Sequence, residues 1–202
     1  MRRPRSPDHG GQMSTKPIPS ETIESLRAGS TNLDLLRGYL RSNPVAGLGV
    51  RPPSLRSTAW ALAPIYAVLA LALGLGTGIL EPGWPSIGEA LIRPIGLLLF
   101  PALIEEFVFR GILLPRSLID ASWQRQWGAI GLSTVVFVLH HPMNHIFIGF
   151  TDTSLFIDPG FLVIVAVLGV TCGFAYLRSG SLWVPIAIHW ATVVVWNLFL
   201  GR

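Results

Sequence analysis

The chain has 202 residues, half of them hydrophobic and only 13% charged, with a mean hydropathy of +0.54. Soluble domains carry about 25% charged residues, so this balance excludes an ordinary soluble enzyme and indicates one small polytopic membrane domain. The net charge of +4 is unevenly spread: residues 1–58 hold nine of the fifteen Lys and Arg but four of the eleven acids, a basic stretch that the positive-inside rule explains without nucleic acid.

Residues 1–19 (MRRPRSPDHGGQMSTKPIP) are rich in Pro, Gly and Arg and are expected to be disordered. Met13 offers a second start, and His9 in this tail has no site role. Within TNLDLLRGYL, Thr31 or Asn32 can cap a short helix that carries Leu33, Leu36 and Leu40 on one face. SNPVAGLGVRPPSLRS (42–57) reads as a linker from its Pro and Gly. No apolar signal region precedes residue 59, so the first span is expected to remain as an anchor.

Five apolar stretches follow, at 59–80, about 89–114, about 127–141, 160–177 and 183–200. Each approaches the length that crosses a bilayer core of about 30 Å. The third is interrupted by polar residues and meets Pro142, which stops or kinks a helix. The expected fold is therefore all-α: a polytopic transmembrane helix bundle of about five spans, with a disordered basic N-terminal tail. Residues 1–58 form the tail and linker, and 59–202 the membrane domain. Arg116 and Arg125 lie between spans two and three, and Arg178 precedes span five, whereas 81–88 and 142–159 have no Lys or Arg. This alternation puts the N-terminus in the cytoplasm and the C-terminus outside. The Arg-rich composition and small size suggest a bacterial inner membrane. The single cysteine, Cys172, leaves no internal disulfide and no Cys-based metal site; it reads as a packing residue.

Ionisable side chains inside a membrane span are costly and face the protein interior or water. Three spans carry them: Glu105, Glu106 and Arg110 in the second, His140 and His141 at the end of the third, and His189, with Asn197 further along, in the fifth. Each seeks a polar partner, so the helices are expected to converge on one pocket. Glu106 and Arg110 are four residues apart with the acid first, the favourable order for an ion pair. Glu105 is turned by about 100° from Glu106 and is left free to act as a general base. Of the adjacent pair, His141 is the first candidate and His140 the alternative; His145 lies past Pro142 and is expected in a loop.

One carboxylate and two imidazoles support two chemistries. They can hold a divalent metal such as zinc, with Glu105, His141 and His189 as ligands. They can also activate water directly and stabilise an oxyanion. Both hydrolyse a peptide-like bond. No HExxH, no GxSxG and no phosphate-binding glycine loop is present.

The spaced set EEFVFR (Glu105 to Arg110), FVLHH (Phe137 to His141) and GSLWVPIAIHW (Gly180 to Trp190) resembles the CAAX protease and bacteriocin-processing family. These membrane-embedded proteases, also called the Abi family, include the CAAX prenyl endopeptidases. The resemblance covers about residues 95–200. It implies an intramembrane endopeptidase acting on a membrane-anchored or hydrophobic peptide or protein within the lipid bilayer. It further implies Glu105 as the base that activates water with His141 assisting, Glu106 and Arg110 as supports, Phe137 as the motif aromatic, and His189 at the oxyanion site. Members have been treated both as metal-dependent and as metal-free.

The family pattern departs at one point. It expects Asn four residues after His189, where this chain has Val193. Asn197 lies about 12 Å further along the helix and about 80° round it; Thr192 is on nearly the right face and offers a hydroxyl. Two other classes use the same residues: a non-catalytic binding or immunity protein on the protease scaffold, and a small transporter relaying protons through Glu and His.

Overall fold

The computed structural model describes residues 32–148 and 154–200, the side chains of 145–148 excepted. The expectations for 1–19, Met13, His9 and the Thr31 cap lie outside these residues. The chain divides into two units, 1–37 and 38–202. Of the first, only Asn32–Arg37 is described. It is helical, part of α1 (Asn32–Leu40), and carries an exposed Arg37–Asp34 pair at 3.9 Å.

The second unit is built of helices and their connections, without strands among the described residues. Its long helices are α2 (Thr58–Thr77), α3 (Ile87–Ile112), α4 (Trp123–Ile148), α5 (Pro159–Ser179) and α6 (Trp183–Leu200). Local sequence accounts for their ends. Ser57 caps α2 through the Ala59 N–H, and Gly78, at φ +72°, closes it. Ser86 and Glu89 form a reciprocal capping box at the start of α3. Asp158 caps α5, Pro159 occupies its first turn, and Gly180, at φ +64°, ends it.

Four of these helices, α2, α3, α5 and α6, are long and apolar enough to cross a membrane. The expected third span, α4, is not among them. Gln124, Arg125, Gln126, His140, His141 and Asn144 lower its hydropathy. It also outlasts its predicted stop: Pro142 is accommodated inside a helix that runs to Ile148. His145 therefore falls within a helix rather than a loop.

The centre of the bundle is α5, buried along Ile164, Val165, Leu168, Gly169, Cys172, Ala175 and Tyr176. Small residues let α4 approach it closely. A Cβ on Gly169 would sit 2.8 Å from Thr134 Cγ2, and one on Gly173 would sit 3.1 Å from Ile130 Cγ2. By contrast, α2 and α3 expose Ile65, Val68, Leu75, Leu91, Ile92 and Ile95, the surface expected of helices that meet lipid.

The first half of the stretch read as a linker is helical. Arg41–Val45 is a widened helical turn followed by a last turn at Ala46–Gly49, with Asn43 and Pro44 buried. Its polar groups bond to the ends of the membrane helices. Asn43 Oδ1 accepts the Arg116 N–H at 2.8 Å. Gly47 O accepts the Leu182 N–H at 3.0 Å, Leu48 O the Trp183 indole at 2.8 Å, and Val50 O the Ser181 hydroxyl at 2.6 Å. Gly47 and Leu48 belong to the last helical turn and Val50 follows it, so no intrahelical donor reaches their carbonyls.

Candidate active site

The two glutamates sit at a discontinuity in α3. Phe100, at φ −140° and ψ 122°, leaves the helical region just before Pro101. One regular turn, Ile104–Glu106, then stands between two widened segments, Leu98–Leu103 and Phe107–Ile112. Such widened turns recur at functional sites, because they free backbone groups and re-aim side chains. A freed carbonyl is used here: Phe109 O accepts the buried Ser133 hydroxyl from α4 at 2.7 Å.

Glu106 and Arg110 are completely buried. Arg110 Nη1 donates to Glu106 Oε1 at 2.9 Å, and Nη2 donates to Gly169 O on α5 at 3.1 Å. The guanidinium carbon lies 4.5 Å from the ring centre of Phe137, a cation–π contact between two fully buried side chains. The i,i+4 pair expected from the sequence is therefore present, tied to both α4 and α5.

Glu106 has a second partner that spacing along one helix could not reveal. His189 Nδ1 donates to the same Oε1 at 2.9 Å, which fixes the imidazole and aims Nε2 at the neighbouring carboxylate. Nε2 stands 3.9 Å from Glu105 Oε2. On the other side, His140 Nε2 stands 3.9 Å from Glu105 Oε1. Glu105 is buried, yet Oε2 has no hydrogen-bond partner among the described residues. The structure thus separates the two acids: Glu106 is bound on one oxygen by a guanidinium and an imidazole, and Glu105 lies between two imidazoles at distances too long for a direct hydrogen bond.

His141 is placed differently. Its Nδ1 donates to Phe137 O one turn back, at 2.9 Å, and its ring packs among Phe137, Phe156 and Phe161 at 4.9–5.9 Å. It is buried, but its nitrogens do not approach Glu105 as those of His140 and His189 do. Phe137, fully buried, touches Arg110, His141, His189 and Phe109 and so packs against both the ion pair and the histidines.

Two supporting residues lie apart from the cluster. The Thr192 hydroxyl donates to Ile188 O of its own helix at 2.9 Å and lines an apolar cavity of about 450 Å³ between α2, α5 and α6. Asn197 is exposed and donates to Val193 O at 3.0 Å. Its distance along α6 from His189 keeps it from Glu105, as helical geometry dictates.

Among the described residues no three His, Cys, Asp or Glu side chains are grouped to hold an ion. Within the candidate metal trio, His141 and His189 both donate from Nδ1, to Phe137 O and to Glu106 Oε1, which leaves Nε2 as the nitrogen each would offer an ion. Without an ion, the arrangement offers a sheltered carboxylate beside an imidazole held in register by a second carboxylate, with a guanidinium balancing the second charge. Such a set can take a proton from water and return it to a leaving group.

A family model described as type II CAAX prenyl endopeptidase Rce1-like matches residues 87–195, from the start of α3 to the end of the regular part of α6. No curated protein and no solved structure matches the chain.

Proposed function

The chain belongs to the type II CAAX prenyl endopeptidase Rce1-like family, and from that membership we propose that it hydrolyses a peptide bond of a membrane-associated protein or peptide using water activated by Glu105. The observation that carries this reading is the Glu105 carboxylate, buried, without a hydrogen bond on Oε2, and facing His189 Nε2 across 3.9 Å. A water oxygen about 2.8 Å from both atoms spans that gap. Its oxygen adds to the substrate carbonyl carbon while its proton passes to Glu105. When the C–N bond breaks, Glu105 returns the proton to the leaving nitrogen. The products are a carboxylic acid and an amine, and the carboxylate base is restored.

Glu106 and Arg110 support this step without entering it. Arg110 balances the Glu106 charge, and Glu106 fixes His189, whose ring is the group placed beside the carbonyl oxygen. His141 assists from the aromatic end of the site, through the substrate or a bridging water rather than by direct contact with Glu105. Four helices able to span a bilayer surround or adjoin these residues, so the scissile bond is met at or just inside the membrane. The basic N-terminal stretch places that end on the cytoplasmic side, and the bacterial inner membrane is the proposed location.

The test is cleavage of a panel of membrane-tethered peptides in detergent or vesicles by the wild type, Glu105→Ala, His141→Ala and His189→Ala, with and without a chelator. Cutting by the wild type and loss in Glu105→Ala are expected. A wild type that cuts nothing, or a Glu105→Ala variant that cuts equally well, removes the reading and leaves a binding protein on a protease scaffold.

A further inference from the structure

We propose that residues 39–50 are a strap that positions the active site, with Pro44 and Gly47 setting the spacing of α3 and α6 on which the His189–Glu106 bond depends. The inference rests on the assignment of Glu105 as the base, since His189 is the imidazole that Glu106 holds beside it. The strap lies outside residues 87–195, which the family model covers, yet it is bonded to the ends of both helices that carry the two glutamates and His189. The Tyr39 hydroxyl donates to Ile112 O, the last residue of α3, at 2.5 Å. Just beyond that helix, Asn43 Oδ1 accepts the Arg116 N–H at 2.8 Å. At the head of α6, Gly47 O accepts the Leu182 N–H, Leu48 O the Trp183 indole and Val50 O the Ser181 hydroxyl.

Packing joins these bonds into one node. Leu182 is fully buried. A Cβ on Gly47 would lie 3.0 Å from Leu182 Cγ, and one on Gly111 of α3 would lie 3.3 Å from Leu182 Cδ1 and 2.7 Å from Pro44 Cβ. Leu182 is thus wedged between the strap and α3, and Pro44 seats on the glycine that follows Arg110. Gly111 belongs to the widened segment Phe107–Ile112, which ends in a bond from Leu113 N–H to Val108 O at 3.1 Å. Widened turns replace the regular helical bond ladder, so the place of this segment rests also on the neighbours packed against it. Arg110, within the segment, holds Glu106, and Glu106 holds His189, about two turns along α6 from Leu182. A close-packed interior transmits strain. A change of spacing at the node is therefore carried to the 2.9 Å bond between His189 and Glu106, and a displacement of about 1 Å made far from the chemistry can cost about 10²-fold in rate.

Two experiments on the full chain in detergent micelles test this. The first needs no cleavage. The proton on His189 Nδ1 is observed by 1H NMR of 15N-histidine-labelled protein, its signal identified by loss in His189→Gln. Pro44→Gly removes the contact with Gly111; Tyr39→Phe is the milder variant, losing only the bond to Ile112 O. Both are expected to shift or broaden the His189 signal. A signal unchanged in both variants overturns the proposal, whether or not the protein is a protease. The second experiment is the tethered-peptide assay, run at a temperature where each variant is fully folded, so that loss of folded protein does not enter. Pro44→Gly is expected to lower kcat about tenfold or more with KM unchanged. Gly111→Ala, which drives a methyl group into Pro44, is expected to do the same, and the double variant to regain part of the rate. A Pro44→Gly enzyme with the wild-type kcat, or a double variant slower than either single one, overturns the proposal even where Glu105→Ala is inactive.

Discussion

His189 Nδ1 and Glu106 Oε1 lie 2.9 Å apart, although 83 residues separate them in the chain. The same oxygen takes Arg110 Nη1 at 2.9 Å, so one atom of α3 fastens α6 and its own helix together inside an apolar bundle. The adjacent acid, Glu105, has no such anchor on Oε2.

Neighbouring glutamates are therefore expected to behave oppositely when removed. Glu106→Ala strands a buried guanidinium and a buried imidazole, and breaking a buried pair in this way costs about 3–5 kcal/mol. Glu105→Ala removes a buried carboxylate that lacks a partner on one oxygen, and is expected to leave stability unchanged or raised. Thermal unfolding in detergent measures the first, and peptide cleavage separates the second. Glu105→Ala should melt at or above the wild-type temperature while losing a factor of about 10² or more in rate. Equal melting temperatures for the two variants would contradict the division of labour.

That division was half legible in the sequence. The i,i+4 spacing of Glu106 and Arg110 is a local rule, and it holds although Arg110 sits in the widened segment Phe107–Ile112. The family, the helical class and the convergence of three helices were likewise written in hydropathy and motif. The His189 contact was not, since no spacing rule joins residues on α3 and α6. Nor does a motif tell which of two adjacent histidines turns toward Glu105; on a helix they differ by about 100°, and the structure turns His140 toward the acid and His141 toward Phe137. Composition is silent on the helical part of 42–57, residues 42–49, because Pro and Gly mark loops but also permit close packing: Pro44 is buried against Gly111, where a Cβ would lie 2.7 Å from Pro44 Cβ.

Close approach of α4 and α5 gives a second expectation. Gly169 supplies both the carbonyl that binds Arg110 and the room for Thr134. Gly169→Ala is expected to push the helices apart at a cost of about 1–3 kcal/mol and to weaken the Arg110 contact. Thr134→Ala removes the colliding Cγ2, so the double variant should recover most of the lost melting temperature. Additive losses in the two single variants and the double would refute this steric origin.

The donor beside His189 gives a third. Thr192 directs its hydroxyl to Ile188 O, away from the carboxylates, and Asn197 is exposed. Thr192→Val and Asn197→Ala are both expected to cut peptides at the wild-type rate. Val193→Asn, by contrast, installs an amide one turn after His189, and a preorganised donor at a developing oxyanion is worth up to about 10²-fold. A rise in kcat for Val193→Asn together with no change for Thr192→Val would mark Val193 as the position where this chain lacks a donor. A Thr192→Val enzyme with greatly reduced kcat would return that role to Thr192.

Outside the membrane spans, Tyr39 and Asn43 fasten the stretch before α2 to the bundle. Tyr39 donates its hydroxyl to Ile112 O at 2.5 Å, and burial holds its phenol above the ordinary value of 10.0. A folded-state pKa above the unfolded one means that the folded protein binds the proton more tightly, so the contribution is complete below pH 10 and is lost as pH rises beyond it. Melting temperature is therefore expected to fall more steeply above pH 10 in the wild type than in Tyr39→Phe. Asn43 is buried, accepts the Arg116 N–H at 2.8 Å and donates to Tyr39 O at 3.0 Å. Asn43→Ala leaves that backbone N–H without its partner and should cost about 1–3 kcal/mol at any pH, whereas Ser42→Ala, at an exposed position, should cost much less. If Asn43→Ala melts with the wild type, the stretch is a tether after all, and its hydrogen bonds contribute nothing to holding the ends of α3 and α6.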